Sequence, residues 1–195
     1  MNTFALSARR IRTATALAYA GAFVYAVLLC VLHVVQPHMI HQATISKYAL
    51  GRDGWLLQAA FISAGLGYAG LARLTAGRTA TVLWLIAAAF VVMGAFRIDA
   101  VGPNRVTSVH GALHTISFFV VVVAVHPLMI VLRTRLHTPA LRTIAFAAPG
   151  LVIAGFAVPG IAGALLFRAW TLTLVAWVVL AARELDRRDL ATHRV

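Results

Sequence analysis

Residues 96–124, FRIDAVGPNRVTSVHGALHTISFFVVVVA, combine a charged turn with the start of a long apolar run. The turn carries Arg97 and Asp99, and the run that follows carries His110 and His114. Two residues four positions apart lie on the same face of an α-helix. Titratable side chains in an apolar helix are costly in lipid unless they meet a partner or a water-filled cavity. The stretch therefore predicts a membrane helix whose histidine face lines a polar pocket.

The rest of the chain has the composition of a membrane protein. Of its 195 residues, 62% are hydrophobic and 11% are charged, and the mean hydropathy is +0.90, whereas globular domains are about a quarter charged. The apolar residues form six runs, each near the roughly 20 residues that cross the hydrocarbon. These runs cover residues 14–35, 54–73, 79–96, 107–131, 141–160 and 163–182. Because backbone polar groups must be paired in lipid and no alternation of period two is present, we expect helices rather than barrel strands. The prediction is an all-α integral membrane bundle of six transmembrane helices, forming a single domain over residues 1–195.

The basic residues indicate how the bundle sits in the membrane. The net charge is +12, but the charges lie at the ends of apolar runs rather than on an aromatic-lined surface, which argues against nucleic acid as a partner. With the N-terminus inside, twelve of the 17 basic residues fall on the inner side. The positive-inside rule then predicts that both termini, and with them the tail 183–195, are cytoplasmic. Arginine outnumbers lysine sixteen to one, which suggests a GC-rich bacterial genome, so we expect the bacterial inner (plasma) membrane.

The connection after the first run contains a recognisable motif. Residues 45–56 read ISKYALGRDGWL, which resembles the Ser-x-Tyr-x-x-Gly-x-x-Gly-Trp segment of six-helix bacterial membrane proteins in the domain-of-unknown-function 998 family. Asp99 and the pair His110-Gly111 are also similar to that family, whereas Arg97 stands where its pattern has Pro or another neutral residue. The resemblance extends over nearly the whole chain in helix number and order. It implies a fold and a membrane location, but no established chemistry.

Polar side chains concentrate on the outer side of the predicted bundle, while the inner half holds mostly arginines at helix ends. We therefore predict a pocket in the outer half of the membrane, formed by His33, Tyr48, Gln58, Arg97, Asp99, His110, His114 and Arg168. Its expected function is to bind a lipid headgroup or a lipophilic small molecule, and Arg97 and Arg168 would suit phosphate because guanidinium binds it bidentately. Membrane lipids are the expected partners, and the sequence does not indicate an oligomeric state. A simpler interpretation is that His110 pairs with Asp99 and only holds the third helix to the fourth.

Three other functions remain open. An intramembrane hydrolase could bind zinc through His110, His114 and Asp99. The zinc would activate a water molecule, and Ser46 or Tyr48 could help to hold the oxyanion. A haem could be ligated by His33 and His110, which lie on different predicted helices. A small transporter would need ionisable groups in series across the membrane, but here such groups stop halfway.

Overall fold

Six α-helices account for most of the residues that the computed structural model describes, namely 8–42, 44–100 and 107–192. The helices are α1 (Ala8–Val35), α2 (Gly54–Arg73), α3 (Gly77–Ala95), α4 (Val109–Arg133), α5 (Pro139–Ala157) and α6 (Gly160–Thr192). All six are long and apolar enough to cross a membrane, and these described ranges contain no strand. The predicted all-α membrane bundle is thereby confirmed, while the orientation of the termini stays a prediction.

Two helix boundaries differ by more than three residues from those expected. Helix α1 begins at Ala8, ahead of the predicted start at residue 14. Helix α6 runs to Thr192, so residues 183–192 continue the last helix beyond the apolar run that was expected to end at residue 182. Ala, Arg, Glu and Leu all have high helix propensity, so a helix rich in them continues beyond the apolar run. Hydropathy locates the part of a helix that lies in lipid, and it does not locate the end of the helix.

The helices close into a ring. Helix α1 packs against α2, each later helix packs against the next, and α6 returns to α1. The core of the bundle consists mostly of aliphatic side chains, with several large aromatic side chains buried among them. These are Tyr25, Phe61, Tyr68, Phe90, Phe167, Trp170 and Trp177.

Small residues bring α1 and α2 into close contact. A side chain at Gly21 would collide with the backbone of Gly67 and Ser63, and one at Gly70 would collide with the backbone of Ala18. In lipid, where no hydrophobic effect drives helices together, such close approach gains van der Waals contact along the two backbones. This seam fixes the position of α1, the helix that carries His33 at its end.

The connection between α1 and α2 folds back against the bundle. It contains two 3₁₀ helices, Pro37–His41 and Ile45–Leu50. The first packs against α1 and α6, and the second packs against α2. Four residues of the second are buried: Ile45, Ser46, Tyr48 and Ala49. We call residues 36–42 and 44–53 the capping segment, and the end of the ring that it covers the capped end.

Candidate ligand-binding site at the capped end

The predicted site residues all belong to elements that meet at the capped end, but the structure divides them into four groups. Arg168 lies with His33 and Tyr48, and His114 lies with a serine of the capping segment. The other two groups are Gln58 with Arg97, and Asp99 with the first turn of α4.

Arg168 joins α6 to α1 and to the capping segment. Its side chain is only 8% exposed, and each of its N–H groups can be matched to one acceptor. The five acceptors are Nε2 of His33 (2.8 Å), the carbonyl oxygens of Ala164 (2.8 Å), Gln42 (3.2 Å) and Met39 (3.2 Å), and the hydroxyl of Tyr48 (3.4 Å). All of these acceptors are neutral, so dipoles rather than a carboxylate stabilise the guanidinium charge. Since His33 accepts at Nε2 and donates from Nδ1 to the carbonyl of Leu29 at 2.6 Å, its imidazole is neutral.

His114 lies fully buried between α3, α4 and the capping segment. Its Nδ1 faces the carbonyl oxygens of Met93 (3.1 Å) and Phe96 (2.9 Å), and its Nε2 is 3.0 Å from the hydroxyl oxygen of Ser46. Carbonyls only accept, so Nδ1 carries the proton and Nε2 of the neutral ring accepts from the serine hydroxyl. Met93 and Phe96 lie at the C-terminal end of α3, where carbonyls lack partners within the helix. His114 therefore satisfies the end of one helix and holds the capping segment at the same time.

Gln58 and Arg97 form a third group beside the end of α3. The Gln58 amide donates to the carbonyl of Gly94 at 3.1 Å, and its oxygen accepts from Nε of Arg97 at 3.2 Å. Arg97 is exposed and Gln58 is half-buried. The group connects α2 to the end of α3 at the rim of the ring.

Asp99 caps α4. Its carboxylate accepts from the backbone N–H and from the hydroxyl of Ser108, both at 2.7 Å, and the Ser108 hydroxyl in turn accepts from the N–H of Gly111 at 3.0 Å. A negative charge is favourable at a helix N-terminus. The carboxylate lies so close to Gly111 that any side chain there would collide with it. His110 is exposed, and its ring lies 5.4 Å from that of Phe96 between centroids.

The predicted zinc ligands are not assembled. Among the residues that the structure describes, no group of three or more His, Cys, Asp or Glu side chains could hold a metal ion. The physical reason is that both nitrogens of His114 and both oxygens of Asp99 already have hydrogen-bond partners, while His110 is exposed outside the buried core. The predicted haem ligands, His33 and His110, are not available as a pair either. Both ring nitrogens of His33 already form hydrogen bonds.

Two narrow cavities lie one below the other inside the ring. The upper cavity is lined by residues that include Ser46, Phe61, Phe118, Trp170 and Thr171. The lower cavity is lined by residues that include Gly67, Tyr68, Val175 and Val178. Both share Tyr25, Phe90 and Leu174, and each has a volume of about 10 Å³, the space of one water molecule. We call the two cavities together the slot.

Two phenol groups on the wall of the slot have no hydrogen-bond partner in the described part of the chain. The hydroxyl of Tyr68 is buried and unpaired. The hydroxyl of Tyr25 also has no hydrogen bond to a described residue, but unlike that of Tyr68 it is not fully buried. A buried polar group without a partner costs about 1–3 kcal/mol. The slot is therefore mostly apolar, and two of its hydroxyls, those of Tyr25 and Tyr68, have no partner among the described residues.

Sequence reasoning missed several of these residues. Tyr25 and Tyr68 are isolated tyrosines in apolar runs, and nothing local marks them as lining a cavity. The apolar run around His126 suggested an interfacial histidine near the inner end of α4, but the structure buries it: its Nδ1 donates to the carbonyl of Val122 at 2.7 Å, and its Nε2 accepts from the indole of Trp170 at 3.1 Å. The motif in residues 45–56 did mark the capping segment, where Ser46 and Tyr48 lie.

The geometry explains most of that motif. Ser46 bonds to His114, and Tyr48 accepts from Arg168. A side chain at Gly51 would collide with the amide of Gln36. One at Gly54 would collide with the backbone of Ala49. Trp55, which ends the motif, is 58% exposed, as is typical of aromatic side chains at a membrane interface.

A family model described as "protein of unknown function (DUF998)" matches residues 7–184. No curated protein and no solved structure matches the chain. Because the family model covers most of the sequence, the chain belongs to this family of multi-pass membrane proteins.

Proposed function

We propose that this member of the DUF998 family binds an uncharged lipophilic molecule in the slot. The observation that carries the proposal is the unpaired hydroxyl of Tyr68, buried in the membrane interior beside an apolar cavity. In lipid the partner of such a donor must come from what the adjoining cavity holds, either one buried water molecule or part of a ligand. A ligand with an ester, ketone or ether oxygen would accept from it.

The walls of the slot favour a hydrocarbon ligand. Aromatic and aliphatic side chains form almost all of its surface, and the hydroxyls of Ser46, Thr171 and the two tyrosines are its polar groups. Thr171 already donates to the carbonyl of Arg168 at 2.7 Å. Since each cavity now has room for about one water molecule, an acyl or isoprenoid chain enters only as the aromatic rings move apart.

The charged groups at the capped end support an uncharged ligand rather than a phosphate held deep in the site. Each N–H of Arg168 is matched to a neutral acceptor within the protein, so a bound phosphate would have to displace one of them. Arg97 is exposed at the rim, where it can contact a lipid headgroup without entering the slot.

The test is to purify the protein in a mild detergent and identify co-purifying lipophilic molecules by mass spectrometry. Tyr68→Phe should lower the amount bound several-fold, because it removes the donor and keeps the ring. Tyr19→Phe is the matched control, since Tyr19 is a half-buried tyrosine of α1 that does not line the slot. Wild-type protein that carries no lipophilic molecule, or equal occupancy in both variants, would overturn the proposal.

A further inference from the structure

We propose that Ser46 and His114 form a nucleophile and general base that cleave a carboxylic ester of the lipophilic molecule. This inference rests on the proposed function, since the slot would hold the acyl chain. Nothing in the sequence joins these two residues, which lie 68 positions apart. The structure brings them to a hydrogen bond of 3.0 Å in a buried site on the wall of the slot.

The arrangement meets the geometric requirements of an activated serine. A nucleophile needs a base within about 2.6–3.2 Å, and that base needs a third group that fixes its orientation and tautomer. Nε2 of His114 is the base, and the carbonyl oxygens of Met93 and Phe96 hold the proton on Nδ1. Serine, imidazole and orienting acceptors are therefore aligned in one chain of hydrogen bonds.

The orienting carbonyls also supply electrostatic support. They lie at the C-terminal end of α3, where the helix dipole places partial negative charge. When His114 takes the serine proton, the imidazolium points its Nδ1–H at this negative end. Neutral carbonyls stabilise an imidazolium less than a carboxylate does, so we expect slow turnover.

The substrate class follows from the wall on which Ser46 lies. Ser46 lines the upper cavity together with aromatic side chains such as Phe61, Phe118 and Trp170. An acyl chain lying there would bring its ester carbonyl to the capped end of the slot. Tyr25 also lines the upper cavity, and its hydroxyl is the donor that we assign to the ester oxygen.

The reaction balances with water as the second reactant. Oγ of Ser46 attacks the ester carbonyl carbon while its proton passes to Nε2 of His114. The tetrahedral intermediate then breaks its bond to the alkoxy oxygen, which takes the proton from His114 and leaves as an alcohol. Water attacks the acyl-serine, with His114 again as base, and the products are a carboxylic acid and free Ser46. No atom changes its oxidation state, so the reaction needs no oxidant or reductant.

The experiment is covalent labelling of purified protein with a fluorophosphonate, located by peptide mass mapping. We expect the label on Ser46. Ser46→Ala should abolish it, and His114→Gln should slow it by about 10²-fold or more, the contribution of a positioned general base. Ser63→Ala is the matched control and should label normally, because the Ser63 hydroxyl bonds within its own helix to the carbonyl of Ala59 at 2.8 Å. A label on another residue, or wild-type labelling in Ser46→Ala, would overturn the inference.

A second measurement separates catalysis from a purely structural hydrogen bond. Hydrolysis of p-nitrophenyl palmitate should exceed that of the acetate ester and should disappear in Ser46→Ala. Ser46→Cys, made together with Cys30→Ala, retains a nucleophile and should gain a palmitoyl group detectable by intact mass. If Ser46 only holds the capping segment, none of these reactions occurs even though the variants fold.

The two proposals can fail separately. A co-purified lipophilic molecule without labelling of Ser46 or ester hydrolysis would leave the binding function and remove the catalytic one. Labelling at Ser46 without any dependence of lipid content on Tyr68 would leave the catalytic pair and remove the proposed binding mode.

Discussion

Nε of Arg168 donates to Nε2 of His33 at 2.8 Å, and this bond joins the last helix of the ring to the end of the first. The two residues are 135 positions apart. The remaining N–H groups of the same guanidinium hold carbonyls and a phenol of the capping segment, together with one carbonyl of α6. One buried cation therefore fixes both the closure of the ring and the position of Ser46.

Replacing this guanidinium should loosen the capped end. Arg168→Lys keeps the charge but supplies three donors in place of five and loses the planar fork. We expect the free energy of unfolding in detergent to fall by about 2–3 kcal/mol, the magnitude of a charged hydrogen bond. Hydrogen exchange in the capping segment should increase as well. Unchanged exchange there would mean that Arg168 does not hold the capping segment.

A methyl group on the seam between α1 and α2 should be destabilising. In Gly21→Ala the new Cβ would meet the backbone of Gly67 and Ser63, which cannot move aside as a flexible side chain can. We expect a loss of about 1–3 kcal/mol, as for other overpacked sites. The matched control is Gly150→Ala in α5, where nothing lies within 4 Å of the new Cβ. That change should stabilise the helix by about 0.5–1 kcal/mol. Equal melting temperatures for the two variants would show that close packing at Gly21 does not contribute to stability.

The cap of α4 should behave as one unit. Asp99→Asn removes the charge next to the first turn, and Ser108→Ala removes the hydroxyl that links Asp99 to Gly111. Each should cost about 1 kcal/mol. Because the two side chains share one network, the double variant should cost less than the sum. Strict additivity in thermal unfolding would show that they act independently.

Removal of the Tyr68 hydroxyl should have opposite effects on the empty and the loaded protein. Without ligand the hydroxyl is buried and unpaired, so Tyr68→Phe should stabilise delipidated protein by about 1 kcal/mol or leave it unchanged. With ligand the wild type gains a hydrogen bond that the variant lacks. Differential scanning fluorimetry before and after delipidation measures both effects. A variant that is less stable than the wild type when delipidated would indicate another partner for the hydroxyl.

The orientation inferred from the arginines can be tested by cysteine labelling in the Cys30→Ala background. A cysteine at Thr44, in the capping segment, should react with a membrane-impermeant thiol reagent in intact cells. A cysteine at Thr138, in the connection before α5, should react only after lysis. The reverse pattern would place the capped end in the cytoplasm.

Part of the site was predictable because its signals are local. His114 and Arg168 stand out as titratable side chains in apolar runs, and such residues in lipid must meet partners. The grouping of those partners was not predictable. The histidine pair on α4 illustrates the difference: four residues separate His110 from His114, yet the first is exposed at the helix start and the second is 1% exposed in the core.

By itself the sequence determined six membrane-spanning helices, because lipid acts on each run of about 20 residues independently and rejects unpaired backbone wherever it occurs. Only the tertiary structure decided which polar groups meet. It brings Ser46 into a hydrogen bond with His114 and Arg168 into a hydrogen bond with His33, and it places Tyr25 and Tyr68 on the wall of one cavity. These pairings depend on how the six helices close into a ring and on how the capping segment folds back over it. Close packing between segments that are distant in the sequence sets that geometry, so no local pattern of residues predicts it.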